Sequence, residues 1–172
     1  MTVIRKRFLL LISVLSIVGC DRISKEIATD MLAGAPPRSY LFDVLRLSYH
    51  ENSGSFLSLG AQLPDTIRFM VFIVAAGILL ALFALYALRS GWGGAKFVGF
   101  ALFVAGGIAN WVDRIADGTV IDFLNVGIGP VRTGIFNVAD MALMVGAVIL
   151  LFAEYSRARK QRLIMNGRRL GE

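Results

Sequence analysis

Four long apolar stretches divide this chain, and mixed polar segments separate them. The stretches cover about residues 8–28, 67–88, 96–114 and 138–155. Each is close to the roughly 20 residues that an α-helix needs to cross the hydrocarbon core of a bilayer. The pattern predicts an all-α membrane protein with four transmembrane helices, organised as a single domain over residues 1–172.

The two longer connections, residues 29–66 and 115–137, differ in character. The first contains "YLFDVLRLSYHENSGSFLSLG", in which polar and apolar residues alternate. Alternation of this kind indicates short β-strands or a hairpin, which we expect to rest on the outer leaflet. The second is Gly-rich and contains Asp122. The fold class therefore includes a small extracytoplasmic β-rich loop region.

Composition and charge support a membrane protein and indicate its orientation. The chain is 56% hydrophobic, a larger apolar fraction than ordinary soluble domains have. Of the 18 basic residues, 11 lie at the two termini or around the loop between the second and third stretches. Only Glu154 and Glu172 of the 12 acidic residues fall there. The positive-inside rule places both termini in the cytoplasm, and nucleic-acid binding gains no support.

Three of the predicted helices carry a polar residue to a similar depth. Asp21, Asn110 and Asp140 each lie 13 or 14 residues from a cytoplasmic end, which is about 20 Å at the rise of an α-helix. A common depth favours one site, open to the outer side. Helical spacing also places Asp21 and Lys25 on one face, where they are expected to form a structural ion pair.

Two acids at the edges of apolar stretches are the strongest candidates for chemistry. Asp122 lies in "GTVIDFLN" and Asp140 in "GIFNVADMALMVGAVILLF". A carboxylate beside hydrocarbon is costly and is typical of a functional site, and two on one side of a membrane can share a proton as in aspartic proteases. The alternative is that Asp140 caps a helix and Asp122 lies in a solvated loop.

Five short motifs occur in a fixed order along the chain. They are "DRISK" (21–25), "NSGSF" (52–56), "GGIANWVDR" (106–114), "VIDF" (120–123) and "FNVAD" (136–140). Together they resemble the lipoprotein signal peptidases, also called signal peptidase II, over essentially the whole chain. One such motif alone is weak, whereas five in this order on a four-helix scaffold are specific.

The resemblance implies an aspartic endopeptidase of the bacterial cytoplasmic (inner) membrane. Such enzymes remove signal peptides from prolipoproteins by cutting before a diacylglyceryl-modified cysteine, and the catalytic pair maps to Asp122 and Asp140. We expect Arg114 to orient Asp122 or to bind the substrate backbone. The residues that match the family's substrate-binding or supporting positions are Asn52, Gly54, Gly106, Asn110, Arg114, Asn137 and Ala139, beside the ion pair of Asp21 and Lys25.

Two positions depart from the family pattern. Arg22 stands where the family usually has Gln, and Gly54-Ser55-Phe56 replaces a Gly-Ala-Ala run. Both lie in supporting segments, so they bear on substrate preference more than on the chemistry.

The expected partners are lipidated prolipoproteins and membrane lipids, and the expected state is a monomer. One histidine and one cysteine disfavour a zinc site of the usual kind, and the mechanism implied needs no metal or cofactor. A non-catalytic lipid- or peptide-binding paralogue on the same scaffold remains an alternative. A small transporter is another, but it would carry polar residues through the full depth of the membrane.

The first 20 residues also have the features of a lipoprotein signal peptide. They contain a basic start, an apolar run and the sequence Ile-Val-Gly-Cys ending at Cys20. Cleavage there would delete most of the first predicted span. We therefore expect Cys20 to be a small buried helix residue.

Overall fold

The computed structural model describes residues 1–54 and 59–169, and most of these residues are helical. A π-helical stretch, Phe69–Ala75, joins two α-helices, so that Asp65–Arg89 is one continuous helical segment. The helices are α1 (Val3–Leu32), α2 (Asp65–Arg68), α3 (Ala76–Arg89), α4 (Gly94–Asp117) and α5 (Val138–Arg169).

Three helical segments of the described chain are long and apolar enough to cross a membrane. They are Asp65–Arg89, Gly94–Asp117 and Val138–Leu163. Helix α1 is longer than any of the three, but Asp21, Arg22 and Lys25 interrupt its apolar stretch. For these three segments the prediction of helices with the length and composition of a membrane span is confirmed.

A small antiparallel sheet joins the two long connections. Its strands are β1 (Arg38–Tyr40), β2 (Leu45–Asn52), β3 (Val120–Ile128) and β4 (Val131–Arg132), in the order β1-β2-β3-β4. The strands predicted in the first connection are therefore present. The second connection contributes β3, which gains its hydrogen-bonding partner from β2, some seventy residues away in sequence.

The register of β2 against β3 brings the candidate site together. Asn52 lies opposite Val120, and His50 lies opposite Asp122. At this end of the sheet, Phe123 packs with Ala28 and Leu32 from the end of α1. The sheet is thereby fixed against the helices at the end where α1 and α4 finish and α5 begins.

Glycine residues allow α4 and α5 to approach each other closely. A Cβ added at Gly106 would lie 2.3 Å from the carbonyl oxygen of Ala139, and one at Gly146 would lie 2.6 Å from the carbonyl oxygen of Gly99. Both separations are too short for any side chain. Contact of the two backbones at Gly106 places the first turn of α5 directly beside α4.

Cys20 lies within α1, as expected for a helix residue. Its side chain is exposed, so the expectation that it is buried is wrong. Ile23 and Ile27, three and seven residues further along α1, are also exposed, so Cys20 belongs to an outward-facing surface rather than to the packed interior.

Candidate active site

A cavity of about 400 Å³ opens between the π-helical stretch, α3, α4, α5 and β3. Its walls are mainly apolar and include Phe72, Leu79, Phe83, Trp111 and Phe136. The polar residues that line it are few and come from four different elements and a loop: Asn52, Asn110, Arg114, Asp122, Thr133 and Asp140. A mostly apolar cavity with a few convergent polar groups is the usual form of a binding or catalytic site.

The two candidate acids belong to one hydrogen-bond network. The side-chain amide of Asn137 donates to Asp122 Oδ1 at 2.7 Å, and its backbone N–H donates to Asp140 Oδ2 at 3.2 Å. The amide of Asn110 donates to Asp140 Oδ1 at 2.8 Å and accepts from Asn137 Nδ2 at 3.1 Å. These hydrogen bonds join Asp122 to Asn137, 15 positions away, and Asn110 to Asp140, 30 positions away. Both carboxylates face the same cavity.

Asp122 is held on both of its oxygens. Asn52 Nδ2 donates to Oδ2 at 2.9 Å, while Asn137 donates to Oδ1. The side chain is only 3% exposed, and burial raises the pKa of Asp122 above the usual value, against the opposing effect of the hydrogen bonds from Asn52 and Asn137. A carboxyl group with a raised pKa is suited to hold a proton in an acid–base pair.

Asp140 lies in the first turn of α5 and takes part in its N-terminal cap. Asn137 Oδ1 accepts from the backbone N–H of Asp140 at 2.9 Å, and Asp140 Oδ2 accepts from the backbone N–H of Asn137. This reciprocal pair has the geometry of a capping box, which satisfies two otherwise free donors at a helix start. The partial positive charge of the helix N-terminus also favours a carboxylate here.

Behind the acids lies a buried ion cluster that contains Lys25. The Lys25 ammonium contacts Asp21 Oδ2 and Asp113 Oδ2, each at 2.5 Å, and it donates to Asn110 Oδ1 at 3.0 Å. The lysine side chain is 3% exposed. Because an ammonium only donates, its contact directs Asn110 Oδ1 toward Lys25 and leaves Asn110 Nδ2 to face Asp140.

The same cluster is linked to the start of α5. Asp21 Oδ1 accepts from the backbone N–H of Ala139 at 2.8 Å. Ala139 is fully buried, directly before Asp140. The cluster therefore positions Asp140 by two routes, one through the Asn110 amide and one through the α5 backbone.

Arg114 fixes the loop that follows β2. Its Nη2 and Nε donate to the carbonyl oxygen of Gly54 at 2.6 and 3.2 Å, and its Nη1 donates to the carbonyl oxygen of Asn110 at 3.0 Å. No hydrogen bond from Arg114 to Asp122 is among those of the described residues. Arg114 is linked to Asp122 through this loop, because Gly54 N–H donates to Asn52 Oδ1 at 3.0 Å and Asn52 Nδ2 donates to Asp122.

A family model described as signal peptidase (SPase) II matches residues 13–156, which is most of the chain. The chain belongs to the signal peptidase II family. The family assigned from the five motifs is therefore confirmed, and with it a peptidase that acts in lipoprotein processing.

Proteins called lipoprotein signal peptidase are similar to this chain over most of its length. The protein of Streptococcus pneumoniae is 30% identical over 149 residues, which cover 87% of this chain and 94% of that protein. The protein of Chlorobium phaeobacteroides is 32% identical and covers 78% of this chain and 83% of its own length. That of Sphingopyxis alaskensis is 34% identical, with 76% of each chain covered.

Two solved structures share the fold. One is a bacterial membrane enzyme determined by the in meso method at 2.3 Å, with a TM-score of 0.73, 24% identity, and coverage of 87% of this chain and 88% of that one. The other was determined at 1.9 Å, with a TM-score of 0.70, 22% identity, and coverage of 84% and 90%. At these identities the likeness concerns the fold alone.

The structure brings nearly all of the predicted site residues together, although their roles stay predictions. Gly106 and Ala139 lie at the contact of α4 with α5, and the carbonyl oxygen of Gly54 accepts from Arg114. Part of one motif, Ser55 and Phe56, falls outside the described residues, as does most of the departure from the Gly-Ala-Ala run. Arg22, the other departure, is more than half exposed and contacts Glu26 at 3.1 Å.

Asp113 is the main site residue that the sequence reasoning missed. It is the second carboxylate partner of Lys25 and is 7% exposed as a whole residue. The signal was present, because Asp113 follows Asn110 by three positions and so shares a helix face with it. Its acidic side chain in a predicted span was open to the same argument that identified Asp21.

Proposed function

We propose that this protein removes signal peptides from prolipoproteins by cutting before a diacylglyceryl-modified cysteine, with Asp122 and Asp140 as the catalytic pair. The observation that carries the proposal is the shared network, in which Asn137 donates to both carboxylates beside one apolar cavity. Two acids held at one site and open to a common space are what water activation by a carboxylate pair requires.

The proposed reaction is hydrolysis by a pair that shares one proton. The ionised aspartate removes a proton from a water molecule, and the oxygen of that water attacks the scissile carbonyl carbon. The protonated aspartate polarises the carbonyl oxygen. In the second half of the reaction the C–N bond of the tetrahedral intermediate breaks, and the new amine receives a proton from the pair. The Asn110 and Asn137 amides, which donate to the two carboxylates, would stabilise the developing charge.

The apolar walls suit a lipid-modified substrate. Phe72, Leu79, Leu80 and Phe83 form the side of the cavity made by the second helical segment, and Leu143 and Met144 contribute from α5. The acyl chains of the substrate cysteine would lie against these residues, while the peptide passes the acids. Within the loop at 40–60, the part that lies beside the cavity at Asn52 would cover the bound substrate and exclude stray water. Residues 55–58 of this loop lie outside the described residues.

We also propose four spans, with α1 as the fourth, in one domain over residues 1–172. The charges of α1 are compatible with this arrangement, because Asp21 and Lys25 are buried and paired. The distribution of basic residues supports termini in the cytoplasm and the sheet outside. The protein would then be a monomeric, multi-pass enzyme of the bacterial inner membrane, and its substrate would enter laterally from the bilayer.

The test is conversion of a purified lipidated prolipoprotein to its shorter form, followed by a gel shift. Asp122→Asn and Asp140→Asn keep the size of each side chain but cannot take up or hold the catalytic proton. Both are expected to abolish conversion while far-UV circular dichroism stays unchanged. Normal turnover by either variant would exclude the pair.

Asp117→Asn is the matched control, because Asp117 is an exposed acid at the end of α4. The substitution makes the same change from a carboxylate to an amide, but away from the cavity. It is expected to retain full conversion. A parallel reaction with the prolipoprotein before lipidation tests substrate class, and we expect it to be cut far more slowly. Equal rates on both substrates would contradict the assignment to lipidated cysteine.

A further inference from the structure

Four large apolar side chains lie exposed at the end of the sheet that points away from the cavity. Leu41 and Phe42 form the turn between β1 and β2, while Ile128 and Val131 flank the turn between β3 and β4. Each of the four is at least 70% exposed. We call these four residues the sheet tip. Exposed apolar groups gathered at one place indicate an interaction surface.

The two turns of the sheet tip are neighbours in space. Leu45 at the start of β2 pairs with Val126 near the end of β3, and the backbone N–H of Gly127 donates to the carbonyl oxygen of Val44 at 2.9 Å. Arg132 bridges the turns, since its Nη1 donates to the carbonyl oxygen of Asp43 at 2.7 Å. The four apolar side chains therefore form one surface drawn from two distant parts of the sequence.

The backbone of the first turn of the sheet tip is strained. Leu41, Phe42 and Asp43 have φ angles of 53°, 55° and 68°, a left-handed region that residues other than glycine seldom adopt. The Asp43 carboxylate holds the turn by accepting from Arg46 Nε at 2.6 Å, Arg46 Nη2 at 2.5 Å and Ser39 Oγ at 2.7 Å. Strain that persists because side chains enforce it is often linked to function.

The surroundings of the sheet tip favour a lipid surface over a protein partner. Arg38, Arg46 and Arg132 lie on the strands next to it and Asp43 within it, which leaves two net positive charges around the apolar group. An apolar tip ringed by cations matches acyl chains beneath anionic headgroups. The sheet is also continuous with the membrane helices, since β3 begins at Val120 directly after α4 ends at Asp117.

From these observations we infer that the sheet tip inserts into the same leaflet of the bilayer that the sheet overlies, and so forms a second membrane contact apart from the helices. Leu45, where β2 begins next to the sheet tip, lies about 23 Å from Asn52, given seven residues of β2 at about 3.3 Å each. With both ends held, the sheet would lie flat on the membrane. Strand β2, which carries Asn52, and strand β3, which carries Asp122, would then keep a fixed height relative to the bilayer.

The experiment measures the depth of a spin label in nanodiscs that contain phosphatidylglycerol and phosphatidylethanolamine. The full chain is used with Cys20→Ser, and a single cysteine is introduced by Phe42→Cys, by Ile128→Cys or, as the control, by Glu51→Cys. Glu51 is an exposed residue at the opposite end of β2. Power saturation then compares collisions with oxygen, which enters the bilayer, and with a nickel chelate, which stays in water.

Labels at positions 42 and 128 are expected to give a higher oxygen-to-nickel ratio than the label at position 51, and the difference should fall when phosphatidylglycerol is replaced by phosphatidylcholine. Ratios at positions 42 and 128 equal to that at position 51 would overturn the inference. Protection from both reagents, together with dipolar broadening between labels, would overturn it in favour of contact with a second copy. None of these readouts depends on peptidase activity, so the inference and the proposed function can fail separately.

Discussion

Removing the ammonium of Lys25 is the perturbation for which the structure gives the clearest magnitude. Lys25 neutralises Asp21 and Asp113, each at 2.5 Å, in a site where the lysine and Asp21 side chains are at most 3% exposed. Lys25→Met keeps the apolar stem and removes the charge. Breaking a buried ion pair from one side costs about 3–5 kcal/mol, because it leaves an uncompensated buried charge.

We therefore expect Lys25→Met to lower the free energy of unfolding by about 3–5 kcal/mol at neutral pH. Denaturant titration in detergent micelles, followed by far-UV circular dichroism, measures this change. The double variant Lys25→Met with Asp113→Asn restores the net charge of the cluster and should recover part of the loss. A proton can replace the ammonium, so the single variant should also recover as the pH is lowered.

Turnover should fall further than stability alone explains. Without Lys25, the Asn110 amide loses the donor that fixes its oxygen, and Nδ2 is no longer held toward Asp140. Folded Lys25→Met should therefore show reduced kcat on the lipidated prolipoprotein with little change in KM. The reasoning is refuted if the free energy of unfolding of the single variant lies within about 1 kcal/mol of the parental value and its kcat is unchanged. A difference of that size is the usual effect of an arbitrary substitution.

Three further predictions concern the site. Gly106→Ala should lower the free energy of unfolding by about 1–3 kcal/mol through overpacking and reduce substrate processing, as measured by thermal unfolding and by gel shift. Unchanged stability and processing would show that α4 and α5 can move apart at little cost in free energy. Asn52→Ala removes a hydrogen bond that lowers the pKa of Asp122, because that bond favours the ionised carboxylate. The pH–activity profile should therefore move to higher pH, and a shift to lower pH would contradict this sign. Arg114→Lys cannot reproduce the two-nitrogen contact with the Gly54 carbonyl, so KM should rise more than kcat falls, whereas a purely catalytic defect would point to another role.

Features that depend on local periodicity could be predicted from the sequence. The apolar stretches identified three helices that are long enough to span a bilayer, and the alternation before Asn52 identified β2. The motif order brought out Asp122 and Asp140 before any geometry was known. Spacing within one helix also linked Asp21 to Lys25, because residues four apart share a face.

Features that depend on contacts between distant segments could not be predicted from the sequence. Strand β3 lies in a Gly-rich connection and is stabilised by the hydrogen bonds that β2 supplies. The contact of Lys25 with Asp113 joins α1 to α4, and no periodicity within either helix reveals how the two are rotated toward each other. Likewise, the sequence offered Arg114 as a partner for Asp122, whereas the fold directs its guanidinium to a loop carbonyl.

The reciprocal cap at the start of α5 has a practical consequence for trapping the enzyme with its substrate. An asparagine at position 140 still offers an oxygen to the Asn137 N–H, whereas an alanine offers none. Asp140→Asn should thus silence the reaction and leave the first turn of α5 intact. It is the variant of choice for capturing an uncut prolipoprotein in a crystal or on a cryo-electron microscopy grid. Asp140→Ala would instead remove the N-terminal cap of α5 as well as the catalytic carboxylate.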